Sequence, residues 1–447
     1  MTLSTLIDAG RGLREGRITS IELTEAAITA ADKHDRELGV YLTRLDEAAR
    51  HAARRADAEL AAGLDRGPLH GIPIGVKDSF TVTGVHATAQ SRVPIPDWNP
   101  CQEADVVSRL RDAGAVLTGT TTMTEFACGL PDPESPFPLP RNPWNTERSA
   151  GISSAGSASG VAAGMFLGSL GGDSAGSIRI PAAFCGITGL VPTYGRIPGE
   201  GVVPLGPSLD RIGPMARSAA DCAALFTVLS GVDVPLDRPC GLRIGVTREH
   251  HFPPESDPLL ESAFDGALAV LVELGAELVP VRLPHWAELT EATFTVIDIE
   301  AYTTHRNSLR EHRDEYGTAC RDLLTRGGPR SGADYVLAQR MAETGKRALA
   351  ELFTEVDVIA CPTVATGAFR FTDFTGYNER LFRTLYTPYW NTLGNPLLAM
   401  PMGFGVGGLP LSLQLAGPRL GEERILRVGA AFQQHTDWHL CTPEALR

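Results

Sequence analysis

The stretch Gly172-Asp-Ser-Ala-Gly-Ser-Ile-Arg-Ile-Pro-Ala-Ala-Phe-Cys-Gly186 decides how this chain folds around its functional centre. It overlaps a segment, residues 149–177, with 8 Gly and 8 Ser in 29 positions and a single charged residue, Asp173. A flexible Gly/Ser linker would not enclose an apolar run such as residues 161–167. Small residues mixed with apolar ones favour backbone packed tightly on backbone, with glycine turns that expose N–H groups to an anion or an oxyanion.

Two kinds of chemistry use such turns. A phosphate-binding loop needs GxxxxGK[ST] or GxGxxG between a strand and a helix, and no lysine follows these glycines. Acyl transfer needs a nucleophile beside backbone N–H groups, and Ser177 follows Ser174-Ala-Gly176. The sequence therefore favours acyl transfer over nucleotide binding.

A nucleophilic serine needs a base. The eleven histidines form no motif with this segment, and the absence of HExxH and HxH disfavours a metal centre. Lys77 lies in the apolar run Gly71-Ile-Pro-Ile-Gly-Val-Lys-Asp78, where desolvation would lower its pKa enough for a base. On its own, such a lysine is more typical of the exposed end of a strand.

Composition limits the function classes. The 447 residues carry a formal net charge of −13, which disfavours binding to nucleic acid or anionic lipid. The N-terminus lacks the pattern of a secretory signal, and no apolar stretch approaches the roughly 20 residues that cross a bilayer. We expect a soluble, cytoplasmic protein whose eight scattered cysteines are reduced, buried and structural.

Helix and strand signals alternate along the chain. Thr19 and Glu22 fit a capping box that opens the helical residues 19–62, and short apolar runs at 72–76, 115–119, 242–246 and 277–283 predict strands. Residues 105–113, 257–274, 287–316 and 333–355 are predicted to be mainly helical, and residues 356–361, 397–404 and 409–416 to be strands. Six prolines between Pro131 and Pro143 predict a loop, and the aromatic Phe137 and Trp144 suggest that it forms the wall of a binding site.

Several motifs together resemble the amidase signature family, in order and spacing and over essentially the whole chain. They are Gly71–Asp78, Met123-Thr-Glu-Phe-Ala127, Arg141-Asn-Pro-Trp-Asn145, Gly151-Ile-Ser-Ser-Ala-Gly-Ser-Ala158, Gly172–Gly186, Gly189–Arg196, Ser208-Leu-Asp-Arg-Ile-Gly-Pro214 and Gly408–Gly417. The resemblance implies one α/β/α domain, residues 1–447, with a central mixed β-sheet covered by helices. We divide it into an N-terminal helical part (1–70), a catalytic core (71–216) and a remainder that completes the sheet and carries pocket helices (217–447).

The resemblance also implies a Ser-Ser-Lys triad and no cofactor. By motif, Ser177 is the nucleophile, Lys77 the base, and Ser153 the bridging serine, which follows a cis peptide bond. Backbone N–H groups of Ser174, Ala175 and Gly176 are the expected oxyanion hole. Ser154, Asp173 and Arg179 match positions that hold these loops in place. Four residues depart from the family pattern without removing a reacting group: Ile152, Ala155, Ala175 and Val191.

The main hypothesis is an amidase that hydrolyses a small carboxamide, ureide or aryl amide. Alternatives on the same scaffold are the glutamine-hydrolysing A-type subunit of an amidotransferase and an acyltransferase that forms amides. A non-catalytic binding protein is a further alternative from a different class, although it would not need a buried lysine. The expected partner is a small-molecule substrate, with a homodimer possible and with no nucleic acid or membrane.

Overall fold

The computed structural model describes residues 5–94, 103–237, 241–373 and 383–446. The strands in these ranges are β1 Tyr41–Arg44, β2 Pro73–Lys77, β3 Val116–Thr121, β4 Arg141–Asn142, β5 Asn145–Ser149, β6 Gly168–Asp173, β7 Thr188–Val191, β8 Arg211–Ala216, β9 Arg243–Val246, β10 Glu277–Pro280, β11 Val358–Pro362, β12 Leu397–Phe404 and β13 Pro410–Ala416. The α-helices are α1 Leu6–Arg14, α2 Ser20–Leu38, α3 Asp46–Ala61, α4 Asp105–Asp112, α5 Ala155–Ala162, α6 Arg179–Cys185, α7 Ala219–Ser230, α8 Leu260–Glu273, α9 Trp286–His305, α10 Ser308–Glu311, α11 Thr318–Thr325, α12 Gly332–Glu355 and α13 Glu422–Gln434.

Eleven of these strands form one mixed sheet, in the order β1-β3-β2-β6-β8-β7-β12-β13-β11-β9-β10. Strand β2 runs parallel to both β3 and β6, and β9 runs parallel to β10 and β11. The pairs in the middle of the sheet, from β6 through β8, β7, β12 and β13 to β11, are antiparallel. Strands β4 and β5 form a separate ribbon. Because the sheet joins β1 to β13, the chain forms a single α/β domain, as predicted.

Alternating side chains bury both faces of the sheet. In β12, Leu398 and Met400 pack in one core with helices α1, α4, α7, α8 and α13. Leu397 and Ala399 point the other way, into a core with α2, α5, α6, α9 and α12. A strand that is apolar on both faces is typical of the middle layer of three.

The Gly/Ser-rich segment packs as the sequence predicts. A Cβ atom on Gly160 would lie 2.1 Å from the Phe166 ring, and one on Gly156 would lie 2.7 Å from the backbone nitrogen of Thr122. Helix α5 therefore needs small residues, because it lies directly against neighbouring backbone and an aromatic ring. The segment is a buried helix and strand of the core, and not a linker.

Local signals predicted some elements and missed others. The capping box of Thr19 and Glu22 is formed, and helix α2 ends at Gly39 in the left-handed conformation. Strands β1, β6, β7 and β8 were not predicted, and the predicted helix over residues 287–316 is broken after His305. Among the described cysteines, those at 128, 185, 222, 320 and 361 are buried and Cys441 is half-buried, and none of them forms a disulfide. Cys101 and Cys240 lie outside the described residues. No helix of the described chain is both long and apolar enough to cross a bilayer.

Candidate active site

The predicted catalytic residues meet at one edge of the sheet. Lys77 ends strand β2 and Asp173 ends strand β6, and these strands are parallel neighbours, so their last residues lie at the same edge. Ser153 lies just before helix α5, and Ser177 lies just before helix α6. The fold therefore brings to one place residues that are far apart in the sequence.

Lys77 is buried beside Ser153. Its Nζ atom lies 2.7 Å from Ser153 Oγ, and the residue is 1% exposed. Burial lowers the pKa of Lys77 to about 7, although the charges of Asp210 and Asp173 act in the opposite direction. No ion pair with Lys77 forms within the described residues. An amine with this pKa is partly neutral at physiological pH and can accept a proton.

The two serine loops are joined by backbone contacts. The peptide bond between Ile152 and Ser153 is cis, as the resemblance implies. The N–H of Ser154 donates to the carbonyl oxygen of Ser177 at 3.2 Å, and Ser154 Oγ lies 3.3 Å from both the nitrogen and the carbonyl oxygen of Gly172. The hydroxyl of Ser177 is half-buried and forms no hydrogen bond with another residue that the structure describes. It is therefore available to a ligand.

Asp173 and Arg179 form a fully buried ion pair next to Ser177. Arg179 donates two hydrogen bonds to Asp173, of 2.9 Å and 3.1 Å, and a third of 2.6 Å to the side-chain oxygen of Asn391. Burial by itself raises the pKa of Asp173, but the charge and hydrogen bonds of Arg179 hold that pKa well below its ordinary value. The carboxylate therefore stays ionised and serves as an acceptor for the backbone that follows it.

This carboxylate accepts a hydrogen bond from the predicted oxyanion turn. The N–H of Gly176 donates to Asp173 Oδ1 at 2.9 Å, so it is already engaged in this arrangement, and its role as an oxyanion donor stays a prediction. Among the described residues, the N–H groups of Ser174 and Ala175 have no such partner. Gly176 has a φ of +129°, and a Cβ atom there would lie 2.1 Å from Thr387 Oγ1. Position 176 therefore needs glycine, because its backbone has a positive φ and because Thr387 leaves no space for a side chain.

Three residues of the site were missed by the sequence analysis. Asp210 is half-buried and accepts hydrogen bonds from Ser174 Oγ and from the backbone N–H of Leu205, and desolvation raises its pKa. Thr387 donates to the carbonyl oxygen of Ala175 at 2.7 Å, and Asn391 donates to Asp173 Oδ1 at 2.9 Å. A motif contained Asp210 without indicating its role, whereas no local pattern marks Thr387 and Asn391.

The proline-rich loop lines a cavity of about 270 Å³, and its role as the wall of a binding site stays a prediction. Phe137 lines this cavity together with Met123 and Thr124. Trp144 does not, because its ring packs against Phe404. One residue of its lining, Thr124, contacts the site, because its N–H donates to the carbonyl oxygen of Ser153 at 3.3 Å. The described residues contain no group of three or more His, Cys, Asp or Glu that could hold a metal.

Comparison with known proteins identifies the family. The sequence model of the family described as Amidase matches residues 22–426. The A subunit of the glutamyl-tRNA(Gln) amidotransferase of Roseiflexus sp. (strain RS-1) is 39% identical over 98% of this chain and 98% of its own length. An amidase of Pseudomonas putida is 36% identical over 100% of this chain and 99% of its own length.

Solved structures agree with these relatives. A crystal structure of an amidase superposes with a TM-score of 0.89 at 33% identity, covering 96% of this chain and 99% of that chain. The peptide amidase of Stenotrophomonas maltophilia superposes with a TM-score of 0.81 at 29% identity, covering 97% of each chain. The chain therefore belongs to the amidase family and is a hydrolase that acts on the carbon–nitrogen bonds of amides.

Proposed function

We propose that this enzyme hydrolyses a small carboxamide, ureide or aryl amide through an acyl-enzyme on Ser177, with Ser153 relaying protons to Lys77. The observation that carries the proposal is the 2.7 Å contact of a buried lysine amine with the hydroxyl of Ser153. A buried lysine without an ion-pair partner is costly for stability, and proton transfer supplies a reason for it. The half-buried hydroxyl of Ser177 lies on the turn tied to the same loop.

In the first half-reaction, neutral Lys77 accepts the proton of Ser153, and Ser153 accepts that of Ser177 as Ser177 Oγ attacks the amide carbon. Negative charge develops on the carbonyl oxygen, and the N–H groups of Ser174 and Ala175 are the available donors for it. Ser153 then passes its proton to the leaving nitrogen and regains one from Lys77. The carbon–nitrogen bond breaks, the amine leaves, and the acyl group stays on Ser177.

In the second half-reaction, a water molecule attacks the acyl carbon and gives up a proton through Ser153 to Lys77. The acid product leaves and Ser177 recovers its proton, so the enzyme returns to its starting state. Asp173, Arg179 and Ser154 touch no reacting atom in this scheme. They position the turn and the two serine loops. A small displacement of these loops would misalign the reacting groups and slow the reaction.

We base an apolar acyl part of the substrate on Ile152, the partly buried residue that precedes Ser153. Ile152 packs against a buried cluster that includes Ile180, Phe184 and Leu385. An alkyl or aryl group is favoured against such a surface, because burying it removes apolar area from water. A cytoplasmic location and a homodimer stay predictions.

Labelling with a fluorophosphonate, followed by intact-mass analysis, tests the proposal. Wild type is expected to gain one adduct, Ser177→Ala none, and Lys77→Ala an adduct that forms at least about a hundredfold more slowly. Lys346→Ala, which changes an exposed lysine, should label at the wild-type rate. An adduct that persists in Ser177→Ala would contradict the assignment of the nucleophile. A screen of carboxamides, ureides and anilides with the enzyme that labels then identifies the substrate class.

A second candidate is supported by the relatives named as A subunits of glutamyl-tRNA(Gln) amidotransferases, at 34 to 39% identity. In that case the same acyl-enzyme would form from glutamine, and the isolated chain would have little activity on other amides. Hydrolysis of simple amides by the purified chain would favour the amidase. Product analysis with added amines separates hydrolysis from acyl transfer, because a transferase would make a new amide in place of the free acid.

A further inference from the structure

The 270 Å³ cavity behind the proline-rich loop has an unusual lining of charges. Five carboxylate side chains line it, against two guanidinium groups, those of Arg92 and Arg321. Its remaining walls include the apolar side chains of Met123, Phe137 and Tyr316. A cavity with carboxylates and aromatic or aliphatic walls suits a cation that carries a hydrocarbon part.

Two of the carboxylates converge on one point of the wall. A Cβ atom on Gly317 would lie 2.9 Å from Glu125 Oε2 and 3.0 Å from Asp132 Oδ2. Neither Glu125 nor Asp132 forms an ion pair within the described part of the chain. Two half-buried carboxylates this close repel one another, and a cation between or beside them would remove that repulsion.

The existing hydrogen bonds of these groups leave acceptor capacity free. Glu125 accepts from Ser91 Oγ at 2.6 Å and from the N–H of Gly317 at 2.8 Å, and Asp132 Oδ1 accepts the N–H of Glu134 at 2.9 Å. The hydrogen bond from Gly317 has a structural role, because it satisfies the N–H of the residue that precedes helix α11. A carboxylate has about four lone-pair sites, so both side chains can accept further donors.

A separate observation at the same cavity also points to a ligand. Thr124 lines the cavity and is 5% exposed, and its Oγ1 atom has no hydrogen-bond partner among the described residues. Buried hydroxyl groups are seldom left unpaired in folded proteins. The N–H of the same residue donates to the carbonyl oxygen of Ser153, so Thr124 joins the cavity wall to the loop of the proposed bridging serine.

We propose that the cavity bounded by Glu125, Asp132, Thr124 and Phe137 binds an organic ammonium group, and that the amide substrate of this enzyme carries it. A metal ion is a poorer fit, since the described residues offer no group of three or more His, Cys, Asp or Glu that could hold one. An anion would face an excess of carboxylates. The substrate part of this inference rests on the proposed function, whereas the binding site does not.

Calorimetric titration with benzylamine and with benzyl alcohol tests the site, because the two probes share a shape and differ in charge. Wild type is expected to bind benzylamine at least about tenfold more tightly. Glu125→Gln and Asp132→Asn should each remove about tenfold of that preference, while Asp322→Asn, an exposed carboxylate on helix α11 outside the cavity, should not. Ser177→Ala should bind benzylamine as wild type does, because the site does not include the nucleophile. Failure of the proposed catalytic function would therefore leave the binding result unchanged.

Equal affinity for the two probes, or a preference that survives both cavity variants, would overturn the site. Thermal unfolding of each variant checks that it is folded. If Glu125→Gln is destabilised by loss of its hydrogen bond to Gly317, Asp132→Asn still tests the site, because Asp132 does not form that bond. The substrate part is tested by kcat/KM for ω-amino amides of increasing chain length, each paired with the neutral alkyl amide of equal length. A preference of at least about tenfold for one amino amide, reduced in Asp132→Asn, is expected. Equal kcat/KM at every length would refute the substrate assignment.

Discussion

Lowering the pH is expected to remove the activity of this enzyme by protonating Lys77. The base works only when it is neutral, and its pKa of about 7 places the change within the range that enzymes tolerate. Two pH units below that pKa, only about 1% of the lysine is neutral, so kcat/KM at pH 5 should be roughly a hundredfold below its plateau above pH 8. A lysine at its ordinary 10.5 would instead give activity that still rises about tenfold per unit at pH 8.

The chain permits a direct measurement, because it contains three lysines, at positions 33, 77 and 346. Enzyme labelled with ¹³C at the lysine ε-carbon should show three signals, which Lys33→Arg and Lys346→Arg assign by loss of one signal each. We expect the signal of Lys77 to titrate near pH 7 and to match the acid limb of kcat/KM on an uncharged anilide. Asp210→Asn should move both curves to lower pH, because Asp210 raises the pKa of Lys77.

Three results would refute this reasoning. The first is a Lys77 signal that titrates near its ordinary value. The second is an acid limb that stays in place when the Lys77 signal moves in Asp210→Asn. The third is a shift of both curves to higher pH in that variant, which would mean that Asp210 does not act on the lysine through its negative charge.

Four further outcomes are expected. Lys77→Met should be more stable than wild type by a few kcal/mol in urea unfolding below pH 7. The difference should shrink between pH 7 and about 10.5, because the unfolded wild type still binds the lysine proton there and the native state has released it, so the stability of wild type rises with pH. Asp173→Asn should lose about 3 to 5 kcal/mol in the same assay at pH 7, because it leaves the buried Arg179 unpaired. Gly176→Ala should slow fluorophosphonate labelling at least about tenfold, whereas Gly164→Ala, which also has positive φ but open space around it, should not. Thr387→Val should cost about 1 kcal/mol in urea unfolding through loss of its hydrogen bond to the turn, and an unchanged unfolding midpoint would contradict that role.

Much of the site could be predicted from short stretches of sequence. Ser153, Ser177 and Lys77 lie within motifs whose composition is unusual, and the small residues of the Gly/Ser-rich segment were enough to indicate close backbone packing. The strand over residues 168–173 was missed because its glycines have low strand propensity, and burial between neighbouring strands outweighs it. The strand over residues 188–191, which is four residues long, was also missed.

The sequence by itself determined the fold class, the family and the three residues proposed for catalysis, because each depends on patterns within a few dozen neighbouring positions. Only the tertiary structure decided which hydrogen bonds those residues form. Asp173 competes for the N–H of Gly176, and Thr387 closes the space beside it, although it lies more than 200 positions away. The contact of Thr387 with this turn depends on how distant segments pack, and neither partner carries a local signal of the other.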